Sequence, residues 1–96
     1  MGYVVRATWT AAPGDEEGVA GILRELAAAS RAEPGCRVYE VFVDPDAPQV
    51  FEIYERYDDE QAFDAHVASE HFQRLVIGDA VTRLADRSRA FYASLD

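Results

Sequence analysis

Apolar and polar positions alternate with a period of two from Tyr3 to Thr10. Tyr3, Val5, Ala7 and Trp9 fall on one side, and Val4, Arg6, Thr8 and Thr10 on the other. That period, carried by β-branched and aromatic residues, predicts a first strand. Pro13-Gly14 breaks it. The period then changes. Val19, Ile22, Leu23, Leu26 and Ala27, with Ser30 beyond, trace one helical face and predict a helix from about Asp15 to Glu33. Asp15, Glu16 and Glu17 occupy its first turn, where the helix dipole favours anions, and Pro34-Gly35 ends it.

Cys36 to Val43 reads as a second strand and Val50 to Tyr57 as a third. Between them, Asp44 to Gln49 contains Pro45 and Pro48 and reads as a six-residue loop closing an antiparallel hairpin. Asp58 is the expected cap of a second helix, with Gln61 in the reciprocal capping-box position. Ala62, Phe63, His66 and Val67 form its inner face. Ser69 reads as a fresh N-cap, so a bend is expected there. Phe72, Leu75, Val76, Ala80 and Leu84 continue the helix, which Gly78 weakens without ending. Ser88 to Leu95 alternates as a fourth strand.

The order βαββαβ predicts one α+β domain spanning residues 1–96. It is ferredoxin-like, with a four-stranded antiparallel sheet and two helices on one face, because right-handed crossovers put both helices on the same side. Several strands are apolar on both faces: Val50, Tyr54 and Arg56 oppose Phe51, Ile53 and Tyr57. A sheet with one solvated face alternates more cleanly. The second face is therefore expected to be covered by another copy of the chain, as an isologous homodimer in which two sheets form a dimeric α+β barrel.

Composition narrows the partners. The 96 residues carry 18 acids against 9 bases, a net charge of −9. Nucleic acid and anionic membranes are disfavoured by that sign. No run approaches the ~20 apolar residues of a spanning helix. MGYVVRATWT lacks the layout of a signal peptide, and Arg6 stands where a myristoylation motif has Ser or Thr, so a cytoplasmic protein is expected. Cys36 is the sole cysteine and reads as a small inert core residue. Lys and Asn are absent, so Schiff-base chemistry and Asn oxyanion donors are excluded.

Candidate chemistry lies between the third strand and the second helix. Glu55 shares a strand face with Phe51, Ile53 and Tyr57. A carboxylate at the edge of an apolar face needs a partner, and His66 on the inner helix face is the expected one. Such a pair either stitches helix to sheet or orients an imidazole as a general base. His71 follows five positions later, about 140° around a straight helix, so the two imidazoles are not expected to share a face. With no third ligand nearby, no metal site is expected. His71 either packs on a loop or reaches the pocket. Trp9 is core filler or an N–H donor to a developing oxyanion. Tyr39, Tyr57 and Phe72 are candidates for packing or for the wall of a pocket that takes a flat aromatic. Phosphate loops, nucleophile elbows and dinucleotide fingerprints are absent.

EPGCRVYEVFVDPDAP and VFEIYERYDDEQAFDAHVASEHF, with His66, Ser69, His71 and Phe72 spaced H-x-x-S-x-H-F, resemble the antibiotic biosynthesis monooxygenase family. The resemblance runs from YVVRATW through the second helix. It implies a dimeric α+β barrel with a pocket between helices and sheet. It also implies cofactor-independent oxidation of a small hydroquinone or polyketide-like aromatic by O2, a reaction for which His66 steadied by Glu55 is the expected base. Other branches degrade heme, oxidise anthrones or isomerise a phosphorylated sugar. The heme branch has an Asn in the first strand, where this chain has Ala7-Thr8, and a Trp at His66. Its heme-binding His would fall at about Val76. The anthrone branch depends on pocket Asn and Trp, and Asn is absent here. The resemblance therefore points to the quinol-oxidising group. The alternatives are a phosphosugar isomerase, which would want Arg residues near its pocket, and a non-catalytic dimer that binds aromatic metabolites.

Overall fold

The alternation of Tyr3–Ala11 builds β1, which lies inside a four-stranded sheet of order β2-β3-β1-β4. β2 spans Cys36–Asp44, β3 Ala47–Tyr57 and β4 Leu84–Ala93, and every pairing is antiparallel. Helix α1 (Glu16–Arg31) follows β1. α2 (Glu60–Ala68) and the short α3 (Glu70–Phe72) follow β3. A π-helical turn at Gln73–Ile77 and a 3-10 turn at Ala80–Arg83 then lead into β4. This computed structural model describes residues 2–96.

The fold is the ferredoxin-like α+β arrangement that the order of periods predicts. Val5, Ala7, Trp9 and Ala11 of β1 meet Val19, Leu23, Leu26 and Ala27 of α1 across one core, joined by Phe51, Ile53 and Tyr57 of β3. The other face of the sheet carries Arg6, Thr8, Tyr54 and Arg56 and is only partly covered. On it Phe42 and Tyr92 are each 50% exposed. No helix among the described residues is long and apolar enough to cross a membrane.

Four local expectations are corrected. The β2–β3 connection is not a six-residue loop: Pro45 and Asp46 make the whole turn, and β3 begins at Ala47. The register slips between Val43 and Asp44. Pro48 falls within that irregularity, where the missing N–H removes no ladder bond that regular pairing would need. The cap of α2 is Asp59 rather than Asp58, with its carboxylate accepting from Ala62 N at 2.9 Å. Asp58 is drawn instead to Arg37, at 2.6 and 2.9 Å.

The helical run also ends at Gly78, whose N–H bonds Gln73 O at 2.9 Å. A Cβ at Gly78 would stand 2.9 Å from Arg74 O, so the close approach of the π turn requires glycine there. Finally, β4 starts at Leu84, not Ser88. Ala12 N donates to Arg83 O at 2.8 Å and Leu84 pairs with Ala11, so the sheet captures a stretch whose apolar spacing continues the helix.

Candidate functional site

The break at Ser69 shapes the site. Ser69 has extended backbone (φ −65°, ψ 154°), and its hydroxyl donates to His66 O at 2.6 Å while accepting from Phe72 N at 3.2 Å. One side chain thus closes α2 and opens α3. The redirected chain brings the His66 and His71 rings to a centroid distance of 6.1 Å, which a straight helix would not allow. Ser69→Ala is expected to cost about 1 kcal/mol and to loosen both imidazoles. Urea denaturation and the His ring NMR signals would report the two effects.

Glu33 stands between those imidazoles. One carboxylate oxygen, Oε2, lies 2.8 Å from His66 Nδ1 and also takes a short hydrogen bond from His71 Nε2. A carboxylate oxygen accepts, so the proton of the neutral His66 ring is on Nδ1 and its Nε2 presents a lone pair. That Nε2 is 3.9 Å from Glu55 Oε1. The expected Glu55–His66 pair is therefore a close approach and not a hydrogen bond. Glu33, not Glu55, orients the ring. Glu55 is held instead by Tyr57, whose hydroxyl donates to Oε1 at 2.6 Å.

Burial sets the protonation of this group. Glu55 is 5% exposed and His66 1%. Loss of solvent pushes the Glu55 carboxyl up to about 7, against the opposing pull of the Tyr57 hydrogen bond and of Arg89. Burial lowers the His66 imidazolium below its ordinary value, although Glu33 works the other way. Burial also drives Tyr57 and Tyr39 upward, so both keep their protons at neutral pH. Near pH 7 the interior thus holds a neutral imidazole beside a carboxyl poised to exchange its proton.

A cavity of about 260 Å³ opens beside Glu55. Trp9, Tyr39, Ile53, Phe63, Phe72 and Val76 give it an apolar wall, and Arg87 and Arg89 stand on its β4 side. Of the expected pocket residues, Trp9, Tyr39 and Phe72 line this cavity. Tyr57 and His71 do not line the cavity: Tyr57 lies beneath, against Phe63 and His66, and His71 is on the Glu33 side. His66 is reached from the cavity through Glu55. A more open depression of about 350 Å³ lies between α1 and the β2–β3 hairpin, near Glu16, Leu23, Arg24, Phe42 and Pro48. It shares no lining residue with the first. Neither cavity is lined by an imidazole, but the smaller is lined by Glu55, whose Oε1 is 3.9 Å from His66 Nε2, so the chemistry points to the smaller one.

The family profile described as antibiotic biosynthesis monooxygenase matches residues 2–76. The chain belongs to this family. Solved structures agree. A Pseudomonas aeruginosa protein is 34% identical with a TM-score of 0.91, covering 99% of this chain and 95% of its own. A structure described as an antibiotic biosynthesis monooxygenase is 32% identical, TM-score 0.89, covering 98% and 99%. A Mycobacterium tuberculosis protein is 25% identical, TM-score 0.91, covering 100% and 97%. No curated protein matches the sequence.

Within this family chain, the residue that sequence reading missed is Glu33. It lies just past α1, 33 positions from His66, outside any periodic run. The available signal was an acid directly before Pro34-Gly35, at the turn that delivers β2 beneath α2. Arg87 lies outside the strand expected from Ser88, and Arg89 lies inside it on a face with no sequence signal of a pocket.

Proposed function

We propose that this member of the antibiotic biosynthesis monooxygenase family oxidises a small aromatic hydroquinone or polyketide-like phenol with O2, using the cavity beside Glu55. The observation that carries the reading is an acid–base couple, Glu55 and His66 Nε2 at 3.9 Å, set at the wall of an apolar aromatic cavity. Glu55 lines the cavity and so meets the substrate hydroxyl. His66, with its Nε2 lone pair exposed by the Glu33 hydrogen bond, takes the proton on. The resulting phenolate is an electron-rich anion. It gives electrons to O2 and a carbon–oxygen bond forms. The O–O bond then breaks, one oxygen remaining in the quinone product and the other leaving as water. The substrate supplies all four electrons, so the balance needs no external reductant. Trp9, Tyr39, Phe63 and Phe72 exclude water and stack on the ring.

The working unit we infer is a homodimer. Phe42 and Tyr92 lie exposed on the outer sheet face, and Val4 on that face is already only 8% exposed. A second sheet laid there would cover them. Members of this family are commonly small dimers. Light scattering at working concentration should return twice the chain mass.

A second reading has its own observation. Arg87 and Arg89 beside the cavity suit an anionic substrate, such as the phosphorylated sugar of the isomerase reading. An oxygen electrode with a panel of hydroquinones separates the readings. The oxidation reading expects uptake that depends on both protein and hydroquinone. Tight ligand binding with no uptake would favour a non-catalytic binder, and phosphosugar turnover without O2 would favour the isomerase.

A further inference from the structure

Glu33, His66 and His71 bring three donor atoms of metal-ligating type to one point. Glu33 Oε2, His66 Nδ1 and His71 Nε2 all lie within 4.8 Å of one another. They come from the turn just past α1, from α2 and from α3, so the fold assembles them and no local sequence spacing announces them. We propose that they form a binding site for one divalent first-row transition ion per subunit, as two imidazoles and a carboxylate with positions left for water.

The geometry needs little change. Donors on a tetrahedral centre with bonds near 2.1 Å stand about 3.4 Å apart. The Glu33 oxygen now sits 2.8 Å from His66 Nδ1, held in the place that a cation between the rings would take. A small rotation of the carboxylate opens that place. Each imidazole then presents its lone pair to the ion, with its remaining proton on the opposite nitrogen. For His66 that nitrogen is Nε2, which faces Glu55 Oε1 at 3.9 Å. Closing that gap on metal binding would let Nε2–H donate to the carboxylate, the usual outer support of a ligating histidine.

Access is also provided. The His66 side chain is 1% exposed, but those of Glu33 and His71 are 15% and 19%, so the ion enters past them without unfolding. The N,N,O donor set suits Zn²⁺, Fe²⁺ or Co²⁺ and is a poor match for Mg²⁺ or Ca²⁺, which prefer all-oxygen shells. Cys36, the sole thiol, is outside the cluster, and burial pushes it up to about 11. A metal on Nδ1 leaves Nε2 protonated and unable to accept a proton, so ion-free and ion-loaded subunits are distinct states. The inference concerns binding alone and stands apart from the oxidation chemistry.

The test is calorimetric titration of chelator-treated full-length protein with ZnCl2, repeated with CoCl2 under visible spectroscopy. Expected are saturation at one ion per subunit, and Co²⁺ bands of nitrogen–oxygen ligation without a thiolate band. Glu33→Gln and His71→Ala, each shown folded by circular dichroism, should weaken binding by at least about tenfold, and Glu55→Gln by about tenfold as an outer support. MgCl2 should not compete. The site is overturned by absence of saturable Zn²⁺ binding. It is equally overturned if Glu33→Gln and His71→Ala both bind with unchanged affinity.

Discussion

His66→Ala is expected to lower kcat/KM for any accepted hydroquinone by about 10²- to 10⁴-fold, the usual span for loss of a positioned proton acceptor. The size follows from where the ring sits. His66 is 1% exposed, oriented at Nδ1 by Glu33 and ringed by Tyr39, Tyr57, Phe63 and Phe72 with centroids 5.1 to 6.2 Å away. No other imidazole approaches Glu55 among the described residues. Truncation also leaves a void and takes a donor from Glu33, so stability will fall. His66→Gln, which retains bulk and an N–H donor, separates the two effects. Gln has no basic nitrogen, so a folded His66→Gln protein should be nearly as slow as the alanine variant. Steady-state oxygen uptake on chelator-treated protein, beside melting curves, checks this. Unchanged turnover in a folded His66→Gln protein would sink the assignment of this ring as base.

Glu55→Gln is expected to change how stability depends on pH. The folded protein raises the Glu55 carboxyl from 4.5 to about 7 because burial penalises the charged form. Between those values the folded state holds a proton that the unfolded state has released. Stability contributed by that proton is present at low pH and declines as pH rises, and by pH 8 it is gone. The shift corresponds to about 3 kcal/mol at most. Glutamine keeps the shape and can accept from Tyr57, but it does not ionise. The variant should therefore lose the falling limb that runs from about pH 4.5 to 7. It should match the parent near pH 4 and exceed it at pH 8. Urea midpoints in chelator at each pH measure this, and parallel curves for parent and variant would mean that Glu55 is solvated.

The sequence carried most of the scaffold because its periods are clean. The alternation of Val5, Ala7 and Trp9 and the stripe of Val19, Ile22, Leu23 and Leu26 are the buried faces of β1 and α1. The errors gather where two periods or two caps compete. Asp58 and Asp59 are adjacent candidates for one cap, and a tertiary ion pair with Arg37 decides between them. Leu84 fits the helical spacing, yet β1 has an unpaired edge that claims it.

The site was half legible for a related reason. Glu55 and Tyr57 are two apart, so period alone puts them on one strand face. It does not show that the Tyr57 hydroxyl takes the carboxylate expected to pair with His66. The link from Glu33 to His66 and His71 spans 33 and 38 positions and is made only when α1, α2 and α3 are in place. The 140° separation assumed for the imidazoles holds for a straight helix. Ser69, visible as a cap, is what removes that assumption.

The oxygen transfer proposed for the cavity beside Glu55 and His66 draws on no electron source other than its substrate. Its most direct test is turnover of an accepted hydroquinone under ¹⁸O2 by chelator-treated protein, with mass spectrometry of the product. One ¹⁸O atom is expected in each product molecule and the other in water, and the folded His66→Gln protein should form that labelled product far more slowly. Product formed without ¹⁸O, or labelled product formed equally well by His66→Gln, would contradict it.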